Sequence, residues 1–188
     1  MDKIIAITGG IGCGKSTACD VLKKLGYTVF SADETYSELL KDKEFVKSIH
    51  SLLGVDSKSD TLEREKVSKI VFNDKTALKK LNDFTHDKII SKMFFNSKNK
   101  GVVFHEVPLL FEGGFQNLYS KIIVIKRDFE KRVESVIKRS NLTRTEVESR
   151  ISSQVDYDKI DSKNLIFITN DLGVLELETE LKKVIKTI

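Results

Sequence analysis

The most constraining feature of this chain is a junction near its N-terminus. A β-branched, apolar run, Lys3–Thr8 (KIIAIT), leads straight into Gly9–Thr17 (GGIGCGKST), and a helical pattern follows. The junction fills the pattern GxxxxGK[ST] with Gly9, Gly14, Lys15 and Ser16. Glycines let the backbone turn sharply and bring its N–H groups to phosphate oxygens with no Cβ in the way. The helix opening near Lys15 points its positive dipole end at the same place. Lys15 supplies a cation for β- and γ-phosphates, and the Ser16 hydroxyl can ligate Mg²⁺. At this composition a chance match somewhere in the chain is about 1 in 100, and the flanking strand and helix lower that further. The junction predicts a nucleoside triphosphate site built from Gly10, Ile11, Gly12, Cys13, Gly14, Lys15, Ser16 and Thr17.

The rest of the chain alternates short β-branched runs with helical stretches, the pattern of a parallel α/β sheet. Further strands are expected at Thr28–Ser31, Val102–Val107, Lys121–Lys126 and Leu165–Thr169. Three of the five runs are nearly continuous in apolar residues, as strands covered on both faces should be. Ala18, Val21, Leu22 and Leu25 repeat at helical spacing and stop at Gly26, a natural residue to end a helix. Asp60 with Glu63, and Thr143 with Glu146, read as capping boxes that open helices. Helices are also expected over 75–97 and, amphipathic, over 174–188. The helical block 33–98 is longer than a simple crossover needs, which suggests that it covers a substrate.

Composition excludes several classes. The 188 residues include 40% hydrophobic side chains and eleven Phe, enough for a core and against disorder. No run of about 18 apolar residues suggests a membrane span. The start MDKIIAITGG has too short an apolar run for a signal peptide. A net charge of +4 is mild for a nucleic-acid binder. Cys13 and Cys19 match no zinc spacing, and they read as two small, semi-buried residues.

Placement of arginine says more than net charge. Six arginines stand among 32 basic residues, and five of them (Arg127, Arg132, Arg139, Arg144 and Arg150) fall within 127–150, between the fourth and fifth strands. By composition alone this is a solvated basic helix. Beside a phosphate loop, it suits the mobile lid of a small-molecule kinase, which needs arginine to stabilise charge on the transferring phosphoryl group. No NKxD sequence is present to read guanine, and motor ATPases are usually longer.

Taken in order, TGGIGCGKST, SAD at Ser31–Asp33, VPLLFE at Val107–Glu112, RISSQ at Arg150–Gln154 and ITN at Ile168–Asn170 resemble the dephospho-CoA kinase family. The resemblance covers nearly the whole chain, and the PLLFE segment is its most discriminating part. It implies a three-layer phosphate-loop kinase fold with a five-stranded parallel sheet, a helical substrate-binding insertion and a helical lid. One domain is expected: a core over about 1–32, 101–127 and 160–188, a substrate region over about 33–100 and a lid over about 128–158. The implied reaction is ATP + dephospho-CoA → ADP + CoA, with phosphate placed on the ribose 3′-hydroxyl. A cytoplasmic, Mg²⁺-dependent enzyme is implied, a monomer or weak homo-oligomer that engages neither nucleic acid nor membrane. A nucleoside or nucleotide kinase, or a nucleotide-binding regulator without turnover, are the alternatives.

Site residues follow from the same resemblance. Asp33, just past the second strand, is placed to accept the proton of the attacking hydroxyl, and by pattern alone it equally suits the N-cap of a helix starting at Glu34. Glu106 ends the third strand where a carboxylate helps to hold Mg²⁺; the family usually has Asp there. Lys15 and Arg139 are the catalytic cations. Arg64, His86 and Leu110 are assigned to the substrate, although Asp87 follows His86 where the family usually has Pro. Asn170 sits where the family approaches adenine. Family members carry Gln seven residues and Arg four residues before Arg139; here those places hold Arg132 and Ser135, so the second lid arginine is either lost or moved to Arg132. His50 and His105 read as structural or surface residues.

Overall fold

A computed structural model describes residues 3–160 and 164–187. Parts of the expected core, at residues 1–2, 161–163 and 188, lie outside the described residues.

Five parallel strands form one sheet: β1 (Lys3–Thr8), β2 (Thr28–Ser31), β3 (Val102–Glu106), β4 (Lys121–Lys126) and β5 (Leu165–Thr169), in the order β2-β3-β1-β4-β5. The chain thus reverses its direction of travel across the sheet after β2, and the later step from β3 to β4 passes over β1, which puts β1 between β3 and β4 at the switch. Opposite that switch, at the carboxyl ends of the strands, is where open α/β sheets bind ligands. Register sets what gathers there: Ile7 pairs with Glu106, Thr8 with Val124, and Lys126 with Thr169.

Eight α-helices are present among the described residues, besides two short 3-10 turns: α1 (Lys15–Lys24), α2 (Ala32–Leu39), α3 (Lys43–Leu52), α4 (Arg64–Asn73), α5 (Lys75–Asn96), α6 (Phe129–Arg139), α7 (Arg144–Ser152) and α8 (Val174–Ile185). None is long and apolar enough to cross a membrane.

The chain divides into two compact units, one of residues 1–30 with 97–188 and one of residues 31–96. In the first, alternate strand residues point to opposite sheet faces. Ile5, Ile7, Phe104, Ile123, Ile125 and Ile168 form one core with Ala18 and Leu22 of α1 and Leu177 and Leu181 of α8. The other face buries Ala6, Val103, Ile122 and Val124. It also holds His105, whose Nε2 lies 2.7 Å from Ser97 Oγ and whose Nδ1 lies 3.1 Å from Tyr119 Oη. Burial pushes the His105 pKa down to about 4, because a charged imidazole there would lose its hydration. Val133 and Val136 of α6 pack against Val147 of α7, with Ile11 of the phosphate loop at their edge. The second unit has a smaller core in which Phe45 stacks on Phe84 at 5.7 Å, beside Ile49 and Val67.

Several local expectations meet the structure directly. Gly26 ends α1 at φ 88°, where a Cβ would be strained. Thr143 and Glu146 do form a capping box on α7. The Asp60–Glu63 box does not exist. Helix α4 starts at Arg64 with Glu63 as its N-cap, and no side chain caps it. Asp60 is ion-paired with Lys43, and Glu63 is held by Ser57 and Lys66. Asp33 is not an N-cap either: α2 begins at Ala32 after Ser31, which leaves Asp33 inside its first turn.

Candidate active site

The phosphate loop runs from the end of β1 to the start of α1. Gly9, Gly12 and Gly14 all have positive φ. None of them has room for a Cβ: one at Gly12 would lie 2.7 Å from the Arg132 carbonyl oxygen, one at Gly9 would meet the Ile125 carbonyl, and one at Gly14 would meet the buried Asn170 side-chain amide. Gly14 is the N-cap of α1 and brings no capping side chain, and the first turn contains no acidic residue. Most helices satisfy their first free N–H groups with a side-chain oxygen, a bond worth about 1 kcal/mol. Here those donors and the dipole's positive end are left for an anion.

The loop is braced from three directions. Asn170, buried after β5, donates its side-chain amide to the Cys13 carbonyl at 3.0 Å. Gln154, after α7, accepts the Ile11 N–H at 2.8 Å. Arg132, on α6, donates from Nε to the Ile11 carbonyl at 3.0 Å. The Asn170 amide is thus committed to the loop backbone, and Arg132 holds the loop rather than reaching outward as a lid arginine would. Gln154 braces the loop through a contact that its motif, RISSQ, did not reveal.

Lys15 Nζ donates to the carbonyls of Gly9 at 2.7 Å and Gly10 at 3.1 Å, within its own loop. Burial lowers its pKa; Glu106 works against that, and Arg139 and Arg132 add to it. A buried ammonium among other cations gains most when an anion arrives. Arg139 is exposed in the last turn of α6 and makes no hydrogen bond or ion pair among the described residues, although its charge reaches Lys15. Arg144 is ion-paired with Glu130 and Glu148. Glu106 lies at the carboxyl end of β3, and its charge is felt at both Lys15 and Cys19. Cys13 and Cys19 are fully buried and unbridged, and burial pushes the Cys19 thiol up to about 12. Both are packing residues.

In the segment 107–112, Leu110 is completely buried, whereas Leu109 is 45% exposed. Leu110, the residue assigned to the substrate, packs in the core, and Leu109 presents the apolar surface. In the second unit, Asp33 and Arg64 are exposed in the first turns of α2 and α4, without side-chain partners among the described residues. Arg64 lies close enough to Tyr36 for its charge to oppose the upward shift that burial gives the phenol. His86 is half-buried on α5.

Known proteins match this arrangement over nearly its full length. The dephospho-CoA kinase family model matches residues 3–176. A dephospho-CoA kinase of Fusobacterium nucleatum is 32% identical over 189 residues, covering 98% of each chain. Among solved structures, TT1252 of Thermus thermophilus superposes with a TM-score of 0.81 at 29% identity, covering 100% of this chain and 98% of its own. A dephospho-CoA kinase of Campylobacter jejuni gives 0.67 at 31% identity, covering 99% of this chain and 96% of its own. With sequence and backbone agreeing from end to end, the chain belongs to the dephospho-CoA kinase family, whose members are ATP-dependent kinases.

Proposed function

We propose that this chain transfers the γ-phosphoryl group of ATP to the ribose 3′-hydroxyl of dephospho-CoA, the last step of coenzyme A synthesis. The observation that carries the reading is the braced, uncapped phosphate loop inside a chain that matches the family over residues 3–176. In this reading the loop N–H groups within Gly10–Thr17, apart from the Ile11 N–H that Gln154 accepts, and the Lys15 ammonium hold the phosphates, and Arg139 swings onto the γ-phosphoryl group as charge develops there. The bond from the 3′-oxygen to phosphorus forms as the bond to the β–γ bridging oxygen breaks, and Asp33 takes the hydroxyl proton. Residues 33–100, with Arg64 and His86, receive the acceptor, and residues 128–158 act as the lid that excludes water. Asn170 serves the nucleotide indirectly, by fixing the loop.

Mg²⁺ belongs to the same reading. Ser16 is exposed in the first turn of α1, and Glu106 ends β3; both offer the hard oxygen donors that Mg²⁺ prefers. Among the described residues no group of three His, Cys, Asp or Glu could hold a metal by itself, which suits an ion bound chiefly by phosphates and water. When bound, the ion neutralises charge on the β- and γ-phosphates. The enzyme is read as cytoplasmic, a monomer or weak homo-oligomer, with no nucleic-acid or membrane partner.

The test is an acceptor panel. Purified protein with Mg-ATP is offered dephospho-CoA, nucleosides and nucleoside monophosphates, and ADP release is followed. Release with dephospho-CoA and little with the others is expected. Release only with a nucleotide acceptor would replace the reading by a nucleotide kinase. Tight ATP binding with no turnover on any acceptor would leave a regulator.

A further inference from the structure

Arg127 follows the last residue of β4 and has no role in the site as described above. Its side chain is half-buried and turns toward the phosphate loop. Nη1 donates to Ser135 Oγ at 2.8 Å and, at the limit of reach, to the Gly12 carbonyl at 3.4 Å. Nε is buried and has no hydrogen-bond partner, and no carboxylate pairs with Arg127 among the described residues. Together with Gly10, Cys13, Arg132, Gln154 and Tyr157 it lines a cavity of about 320 Å³ beside the loop.

A half-buried guanidinium with an idle N–H and no counter-charge among the described residues is unfavourable unless something anionic completes it. Guanidinium is also the group best shaped to grip phosphate oxygens. Among the other clustered arginines, Arg132 is engaged with the Ile11 carbonyl and Arg144 with two glutamates, while Arg150 is exposed in the last turn of α7 and, unlike Arg127, does not line the cavity beside the loop. Ser135 occupies the position at which the family resemblance leads one to expect arginine, and it is Ser135 that receives Arg127. A guanidinium is thus brought beside position 135 from the end of β4 instead of from α6.

We propose that Arg127 is a phosphate-contacting residue of the nucleotide site, steered by Ser135, and that it supplies the second arginine beside Arg139. The assignment rests on the nucleotide reading given above. Calorimetry with ATP and with inorganic tripolyphosphate on the wild-type, Arg127→Ala and Arg127→Ala/Ser135→Arg proteins tests it, with the melting temperature of each recorded. Arg127→Ala should weaken both ligands alike, by roughly 10- to 100-fold, the range of a hydrogen bond to a charged group. Ser135→Arg in that background should recover most of the loss. Unchanged tripolyphosphate affinity would overturn the proposal, and so would a loss confined to ATP, which would mean a contact with the base. A loss that tracks a fall in melting temperature and is not recovered by Ser135→Arg would make Arg127 a structural residue. Wild-type protein that binds neither ligand would overturn the nucleotide reading and this assignment with it, whereas wild-type binding with an indifferent Arg127→Ala would overturn this assignment alone.

Discussion

The phosphate loop and the helical unit of residues 31–96 are built on opposite terms. Around the loop, polar groups are committed: Asn170 to the Cys13 carbonyl, Gln154 to the Ile11 N–H, Arg132 to the Ile11 carbonyl. The strand next to β1 buries a satisfied histidine, His105, between Ser97 and Tyr119. In the helical unit the residues assigned to chemistry, Asp33 and Arg64, stand uncommitted in exposed first turns, above a small aromatic core. A triphosphate presents the same oxygens in every turnover, so its cradle gains from rigidity. An acceptor has to enter, be gripped and leave, and side chains without standing partners can do that without first breaking a bond.

That contrast can be broken by experiment. The largest effect is expected at Asp33. Asp33→Asn should lower kcat by roughly 10²- to 10⁴-fold, the usual contribution of a positioned base, with ATP affinity unchanged because no loop contact is lost. An unaltered kcat would reduce Asp33 to a helix-dipole residue. On the rigid side, His105 ties stability to pH. Its folded pKa of about 4 lies below the ordinary 6.5, so the unfolded chain binds the extra proton. Stability is therefore full above pH 6.5 and falls as pH drops toward 4, by up to about 3 kcal/mol. Denaturant melts across that range should show the slope in wild type and lose most of it in His105→Gln.

Asn170→Ala leaves the Cys13 carbonyl without its donor. A buried group left unsatisfied costs about 1–3 kcal/mol, and that should be seen as a raised KM for ATP with the acceptor KM unmoved. An equal rise in both would mean that the loop and the acceptor region are not separable in this way. The smallest effect belongs to Arg64. Arg64→Ala should raise KM for dephospho-CoA by roughly 10-fold, as for one charge-assisted contact, and leave ATP untouched. Indifference would return Arg64 to the solvent-exposed surface.

Much of the fold was legible because its signals are local. β-branched runs gave all five strands with only Val107 in excess, and the glycine-rich junction marked the loop and the start of α1. Where a signal depended on a distant partner, it failed. Asp60 has the right spacing to cap a helix, but Lys43 engages it and α4 starts later. Leu110 has the composition of a pocket wall, yet packing buries it and turns Leu109 outward. Arg132 and Asn170 were readable as belonging near the nucleotide and Gln154 only as the end of a lid motif, while their actual bonds to the loop backbone span separations of 121, 157 and 143 residues, beyond any periodicity. Arg127 was one of five clustered arginines, distinguished only by its idle, buried Nε.

The central claim is that a rigid loop and an uncommitted acceptor region together phosphorylate one hydroxyl of one acceptor. The most direct measurement is ³¹P NMR of the product formed from Mg-ATP and dephospho-CoA. A new phosphomonoester on the ribose 3′-oxygen, formed in equal amount with ADP, is the predicted result. ADP accompanied only by inorganic phosphate, or a phosphoryl group on any other acceptor oxygen, would contradict it.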